Sequence, residues 1–387
     1  MASIFEVTIQ RRGEDGWPVV VEDHRVGSLL PVRSEGRLEL ADEPVADSAQ
    51  EYGTALGQAL FRDSVRDAFV RARSASADGV RVLVFIEDQQ LKKWRWERLA
   101  PVDGTRWDFL SLDQRALFSL YLPSLTDRPY PPIGKRDLRA LVMVANPSDP
   151  GGKSGLKDFG TTEAVARAQA SLGAEIPSEV LARVPNAVGR PTLDELAKRL
   201  TESSYTILHL VCHGRYSPEK DETGIYLEQP EADAATGKVL PAPITGTQLI
   251  DRLAKVSRLP YLIFLAACES SAPEAEQRLG GLAQRLVREL GVPAVIGMTE
   301  RITSATANAL AEAFYRRFLS QEKKGEVDRA LVEAYAGLAS RVDVNVPALY
   351  SRLPARTYER SMGISFRPNR QSARIRAFGY FGRSVGC

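Results

Sequence analysis

Two stretches, Tyr205-Thr-Ile-Leu-His-Leu-Val-Cys-His-Gly214 and Tyr261-Leu-Ile-Phe-Leu-Ala-Ala-Cys-Glu-Ser-Ser271, decide the architecture of this chain. Each opens as an apolar run of strand length and closes on reactive side chains. The runs are continuous rather than alternating, so both faces of each strand are expected to be buried. That is the mark of a parallel sheet between layers of helices. Open sheets of this kind carry their sites where the strands end.

The same pattern extends outward from these two runs. Strands are predicted at 138–145, 224–228 and 294–298, and helices at 162–172, 192–200 (capped by Thr192), 247–255, 281–290, 304–319 and 327–338. Upstream, residues 122–137 hold four prolines and read as a connector. Before the connector, residues 3–9 alternate with period two and read as a strand paired with 17–21. The stripe Leu56, Leu60, Phe61, Val65, Phe69 and Val70 predicts one helix over 50–72, and 81–86 reads as a buried strand. Trp94, Trp96 and Trp107 read as packing under a loop. The predicted class is α/β, a mostly parallel sheet with helices on both faces, preceded by a smaller α/β region. The predicted organisation is an N-terminal region over 1–135, a core over 136–353 and an Arg-rich tail over 354–387.

Charge and composition exclude several function classes. Among 387 residues, 51 Lys and Arg stand against 49 Asp and Glu, so the net charge of +2 rules out a chain-wide polycation for nucleic acid. The tail is the exception, with seven arginines and one glutamate, so nucleic-acid contact is expected only there if anywhere. No apolar run approaches the roughly 18 residues of a membrane helix. The N-terminus lacks the basic start and apolar core of a secretory leader. Three cysteines (Cys212, Cys268, Cys387) form no disulfide framework and suit a reducing cytoplasm. With three histidines (His24, His209, His213) and no CxxC or HExxH pair, no metal and no cofactor are expected. Gly152-Lys153-Ser154 looks like the end of a phosphate loop, but Pro147 stands where the first glycine is required.

The chemistry concentrates at two strand ends. His209 and His213 share one face of their strand, and Cys212 faces the other way. Gly214 follows His213 and is expected to allow a sharp turn. Cys268 ends the second strand, 55 residues after His213. If the two strands are neighbours, imidazole and thiol meet at one rim, and the imidazole can make the thiolate a nucleophile needs. No third member is evident, so the pair is read as a dyad. The backbone N–H groups of Cys268 and Gly214 are the candidates for holding an oxyanion.

The segments Ile207–Gly214, Phe264–Ser270, Gly280-Gly-Leu-Ala-Gln-Arg-Leu286 and Gly291-Val-Pro-Ala-Val-Ile-Gly-Met298, with the helix containing Phe314-Tyr315, resemble the CHAT family. This is a family of caspase-like cysteine peptidases of clan CD, related to caspases and separase. The upstream Trp96-Glu97-Arg98-Leu99 resembles the element that precedes CHAT cores. The resemblance implies a caspase–haemoglobinase sheet, with His213 as base and Cys268 as nucleophile in an endopeptidase that cleaves protein substrates. It also implies an effector of bacterial defence or programmed death activated by a protein partner, and residues 1–135 are expected to be its docking or regulatory region. In relatives the loop after the Gly-Val-Pro-Ala strand carries a Trp and an acidic residue. Here it reads Met298-Thr-Glu-Arg-Ile-Thr-Ser304, without the aromatic and with Arg301 near the acidic position. Arg301 would favour an acidic P1 side chain, and Glu269 or Glu300 a basic one, so P1 stays open. The rival expectation is a catalytically silent interaction module on the same fold.

Overall fold

A computed structural model describes residues 3–101, 109–131, 133–149, 152, 154–217, 222–234, 237–268, 279–300, 302–320 and 325–352. The chain opens with β1 (Ser3–Ile9), β2 (Trp17–His24) and β3 (Val32–Leu38), an antiparallel meander. Two helices follow, α1 (Ala49–Leu60) and α2 (Asp63–Ala75), then β4 (Val80–Ile86) and β5 (Ala116–Tyr121). After the proline-rich connector come β6 (Ala140–Val144), α3 (Thr161–Leu172), β7 (Ser178–Leu181), α4 (Leu193–Glu202) and β8 (Ile207–Ser217). The hairpin of β9 (Glu222–Glu228) and β10 (Pro241–Thr245) leads into α5 (Gly246–Ala254) and β11 (Leu262–Cys268). The chain then forms α6 (Leu279–Arg288), β12 (Ala294–Met298), α7 (Ser304–Leu319), α8 (Val327–Ala336) and β13 (Pro347–Ser351).

The thirteen strands of the described residues join one sheet in the order β10-β9-β8-β11-β12-β13-β5-β4-β1-β2-β3, with β6 branching from β8 and β7 pairing with β6. Seven of the strand pairings are parallel and five antiparallel. The mostly parallel sheet is therefore the architecture read from the sequence, and helices pack on both of its faces. β6, β7, β8, β11 and β12 run one way. β13 is antiparallel to β12 and parallel to β5, so β13, β5, β4 and β1 run the other way. The 1–135 region and the later strands thus share one continuous sheet through the β13–β5 pairing.

Several boundaries differ from expectation. The stripe over 50–72 is two helices rather than one. The chain breaks at Phe61 (φ −89°, ψ 73°) and extended Arg62, which returns Val65 and Phe69 to the core over the meander. No Gly or Pro marks that break, so periodicity reads through it. The sequence does not predict β3, β5, β7, β10 or β13, and β3 is mostly exposed and polar. β7 and β10 are short, and the buried β5 and β13 lie beside turn-rich sequence that hides their boundaries. Thr192 does cap α4, accepting from the Glu195 N–H.

One close approach matters for the site. In α1, Gly53 accepts from the Ala100 N–H (3.2 Å), and the backbone of 98–101 lies directly on the helix. A Cβ at Gly57 would fall 1.6 Å from the Ala100 carbonyl oxygen, and one at Gly53 2.0 Å from that of Arg98. Only glycine admits this packing, which seats the Trp96–Leu99 segment. Gly57→Ala is therefore expected to cost about 2 kcal/mol or more in a urea unfolding experiment, despite the better helix propensity of alanine. An unchanged or raised midpoint would refute the close packing.

Candidate active site

The two strands singled out from the sequence are neighbours. β8 and β11 are parallel, in a register running from Leu262↔Ile207 through Phe264↔His209 to Cys268↔His213. Adjacent strands lie about 4.8 Å apart, so residues 213 and 268 stand side by side at the same level of the sheet. His209 stacks on Phe264 (ring centroids 5.0 Å, 12° between planes), and its Nδ1 is 3.1 Å from the Tyr315 hydroxyl on α7. His209 is thus a core histidine, as expected, and Cys212 is buried. The four-residue step from His209 to His213 matches the step from Phe264 to Cys268.

β8 does not end at His213. It continues to Ser217, because β9 pairs with it from His213↔Tyr226 to Ser217↔Glu222. The sharp turn expected at Gly214 is replaced by an antiparallel ladder in which Gly214 faces Ile225. β6 occupies the same edge of β8 up to Val144↔Val211, so the sheet forks at His213. Glu228 closes the fork from the end of β9. It is buried, takes a hydrogen bond from the Asn146 N–H (3.1 Å), and pairs with Arg183 (2.5 Å).

His213 is covered. Its exposure is 0%, and the Phe159 ring packs over it at 5.2 Å. Neither ring nitrogen meets a partner at hydrogen-bonding geometry among the described residues. Burial pushes the imidazole down to about 4, opposed by the nearby Lys157 carbonyl and Asp158 carboxylate, which favour the cation. Asp158 accepts from the Gly160 N–H (2.8 Å) and from Asn146 Nδ2 (2.7 Å), and these bonds hold its carboxyl below the usual carboxylate range. Asn146 and Asp158 were missed as site neighbours. Asn146 is the first residue past the 138–145 strand, so the strand-end rule could have found it.

The β12 exit forms the next stretch of rim. Thr299 donates its N–H to the Val346 carbonyl (3.0 Å), and its hydroxyl meets both Glu97 Oε1 (2.8 Å) and the Val346 carbonyl (2.6 Å). Glu300 forms ion pairs with Arg95 (2.6 Å) and Arg98 (2.5 Å). Of the residues expected to read P1, Glu300 is thus held between two guanidiniums, while Glu269 and Arg301 lie outside the described residues. So do Trp107, Cys387 and the Arg-rich tail. One group with metal-ligand chemistry occurs among the described residues. Glu6, Glu22 and His24 bring their ligand atoms within 4.8 Å of one another on β1 and β2, remote from β8 in the strand order.

Residues 50–352 match the CHAT domain family model. That span is most of the chain, so the chain belongs to the CHAT-domain family. The match begins upstream of the proline-rich connector and takes in α1 and the Trp96–Leu99 segment. The fold is similar to the complex of pro- and mature domains of RgpB from Porphyromonas gingivalis (12% identity, 78% of this chain and 70% of that chain, TM-score 0.46). It is also similar to the separase–securin complex of Saccharomyces cerevisiae (14% identity, 72% of this chain and 15% of that chain, TM-score 0.36). No curated protein sequence matches the chain. No helix among the described residues is long and apolar enough to cross a membrane.

Burial makes a direct statement about the His213 proton. With only three histidines in the chain, imidazole resonances can be assigned from single variants. The His213 signal is expected to stay in its neutral position from about pH 8 down to 5.5, where an ordinary histidine is mostly protonated. A midpoint near the usual 6.5 would show that the ring is solvated.

Proposed function

We propose that this protein is a cysteine endopeptidase acting on protein substrates. The observation that carries the reading is the parallel register that makes residues 213 and 268 strand neighbours in a CHAT-domain chain. His213 takes the proton from the Cys268 thiol, and the sulfur attacks the carbonyl carbon of the scissile peptide. The carbonyl electrons move to oxygen, which the N–H groups of Cys268 and Gly214 would stabilise. His213 then passes the proton to the departing amine, and water hydrolyses the thioester to release the acid and restore the thiol. Two residues suffice for these proton transfers, and no metal or cofactor takes part.

A covered base fits an enzyme at rest. An imidazole held near 4 has little drive to deprotonate a thiol whose ordinary value is near 8.5. Moving Phe159 would solvate His213 and raise it toward a useful range. We place this step under the control of an activating protein partner, and the family resemblance points to a cytoplasmic defence or programmed-death effector. The covered, unpartnered imidazole also favours a second reading, a catalytically silent module that binds proteins without cutting them.

The two readings separate on one set of variants. With a denatured protein mixture as substrate, the wild-type chain or Phe159→Ala is expected to cleave, and Cys268→Ala to be inert. His213→Ala is expected to fall about a hundred-fold or more. Alkylation at Cys268 should accelerate in Phe159→Ala, because uncovering the base populates the thiolate. Cleavage that survives Cys268→Ala would overturn the peptidase assignment. No cleavage, together with Cys268 alkylation unchanged by Phe159→Ala, would establish the silent module.

A further inference from the structure

Glu97 is a carboxyl group in an unusual position. It lies in the Trp96–Arg98 turn, is 2% exposed, and stands beside the rim that follows β12. The cation nearest in effect, Arg98, favours the ionised form only as the smallest of the influences on Glu97. Arg98 and Arg95 turn to Glu300. Tyr335 on α8 donates to the Pro347 carbonyl (2.7 Å), while Tyr350 on β13 and Tyr52 on α1 are neutral phenols raised further by burial. Glu300 adds like charge from the rim itself.

The donor count at Thr299 then decides the protonation. Its hydroxyl has one hydrogen, yet it lies 2.6 Å from the Val346 carbonyl and 2.8 Å from Glu97 Oε1. A carbonyl oxygen can only accept. If the threonine hydrogen goes to Val346, the hydrogen between Thr299 and Glu97 must come from the glutamic acid. An ionised Glu97 would take the threonine hydrogen itself and leave two acceptor oxygens facing each other at 2.6 Å.

We propose that Glu97 is a neutral carboxylic acid and a positioning residue, whose proton completes a Glu97→Thr299→Val346 relay that fixes the rim beside Cys268. The proposal rests on the peptidase reading for its functional consequence, though the relay itself does not. Burial outweighs the Thr299 and backbone hydrogen bonds and the attraction of Arg98, and raises Glu97 to about 7, in the direction the donor count requires. Ionisation frees one end of the relay, so the rim loosens as pH rises.

Glu97→Gln tests this directly, because an amide N–H can still donate to Thr299 but cannot ionise. The full-length chain is compared with Glu97→Gln and Glu97→Ala in pH–rate profiles from about pH 5.5 to 9. Wild type is expected to lose kcat/KM on an alkaline limb centred near neutrality, a limb absent from Glu97→Gln. At the acidic end Glu97→Gln should stay within about three-fold of wild type, whereas Glu97→Ala should fall about ten-fold, mainly through KM. Infrared difference spectra give a second readout that needs no activity. Wild type at pH 6 should show a protonated-carboxyl band that Glu97→Gln lacks. Absence of that band overturns the proposal, as does Glu97→Gln matching Glu97→Ala with the alkaline limb intact. If the band is present but nothing is cleaved even when Phe159→Ala is added to each chain and Cys268 alkylation is unchanged by it, the relay stands and the peptidase reading fails. If cleavage depends on Cys268 and the band is missing, the peptidase reading stands and the relay fails.

Discussion

The register between β8 and β11 is the constraint on which the site depends. A slip of one residue would turn every side chain of a strand to the opposite face. What resists the slip lies four residues below the rim, where His209 stacks on Phe264 and meets Tyr315 inside an otherwise apolar layer. Burial drives that imidazole down to about 4, so it stays a neutral, flat, hydrogen-bonded filler. It carries none of the proposed chemistry. By indexing Phe264 against His209, it sets Cys268 level with His213.

Much of this was legible because burial writes itself into apolar runs. The strands at 205–212, 261–267 and 294–298 are continuous, and so are unambiguous, and the amphipathic stripes of α7 and α8 marked their helices. The strand-end rule then found His213 and Cys268 as neighbours in register. Pairing partners were harder to read. β13 consists of buried Pro347–Ser351, and nothing local says that it reverses direction and joins two half-sheets. The same gap explains the turn wrongly expected at Gly214. A glycine permits a turn, but the β9 hairpin supplies ladder partners that keep β8 extended. Contacts that cross long sequence separations, such as Asp158 near His213 or Glu97 against Thr299, leave no trace in periodicity.

Stability and reactivity conflict at His213. A buried imidazole with unpartnered nitrogens is an expense a fold avoids, since each lost hydrogen bond at a buried polar atom costs about 1–3 kcal/mol. Other buried polar groups of the core are paired, though atoms such as Trp17 Nε1 and Asn345 Nδ2 are also left without a partner at hydrogen-bonding geometry. Arg81 pairs with Asp328 at 2.8 Å, Glu228 has Arg183 and the Asn146 N–H, and Tyr335 has the Pro347 carbonyl. At His213 the same accounting is left open on both nitrogens, with the Asn146 Oδ1 likewise unpartnered beside the fork. Departures of this kind gather where a structure must later bind or move. Phe159 covers the imidazole, and its neighbour Gly160 (φ +74°) bends the backbone into α3.

The reversal at β13 also explains how residues far upstream come to serve the rim. In an all-parallel sheet every strand would deliver its carboxyl end to the site, and its amino end would lie at the far side. Here β12 arrives at the rim with its carboxyl end, and β13 and β5 with their amino ends, because they run the opposite way. The segment that feeds β5 must therefore climb from the far end of β4 to the rim before β5 can begin. Trp96–Arg98 lies on that climb, locked below by the Trp96 indole bond to the Leu91 carbonyl (2.7 Å) and behind by the glycines of α1. Its exposed alternatives are few: Glu97 must end up against whatever leaves β12, and Thr299 leaves first. The segment between β4 and β5 is thus brought to the β12 exit by the topology of the sheet, through the β13–β5 pairing and the contact of Glu97 with Thr299.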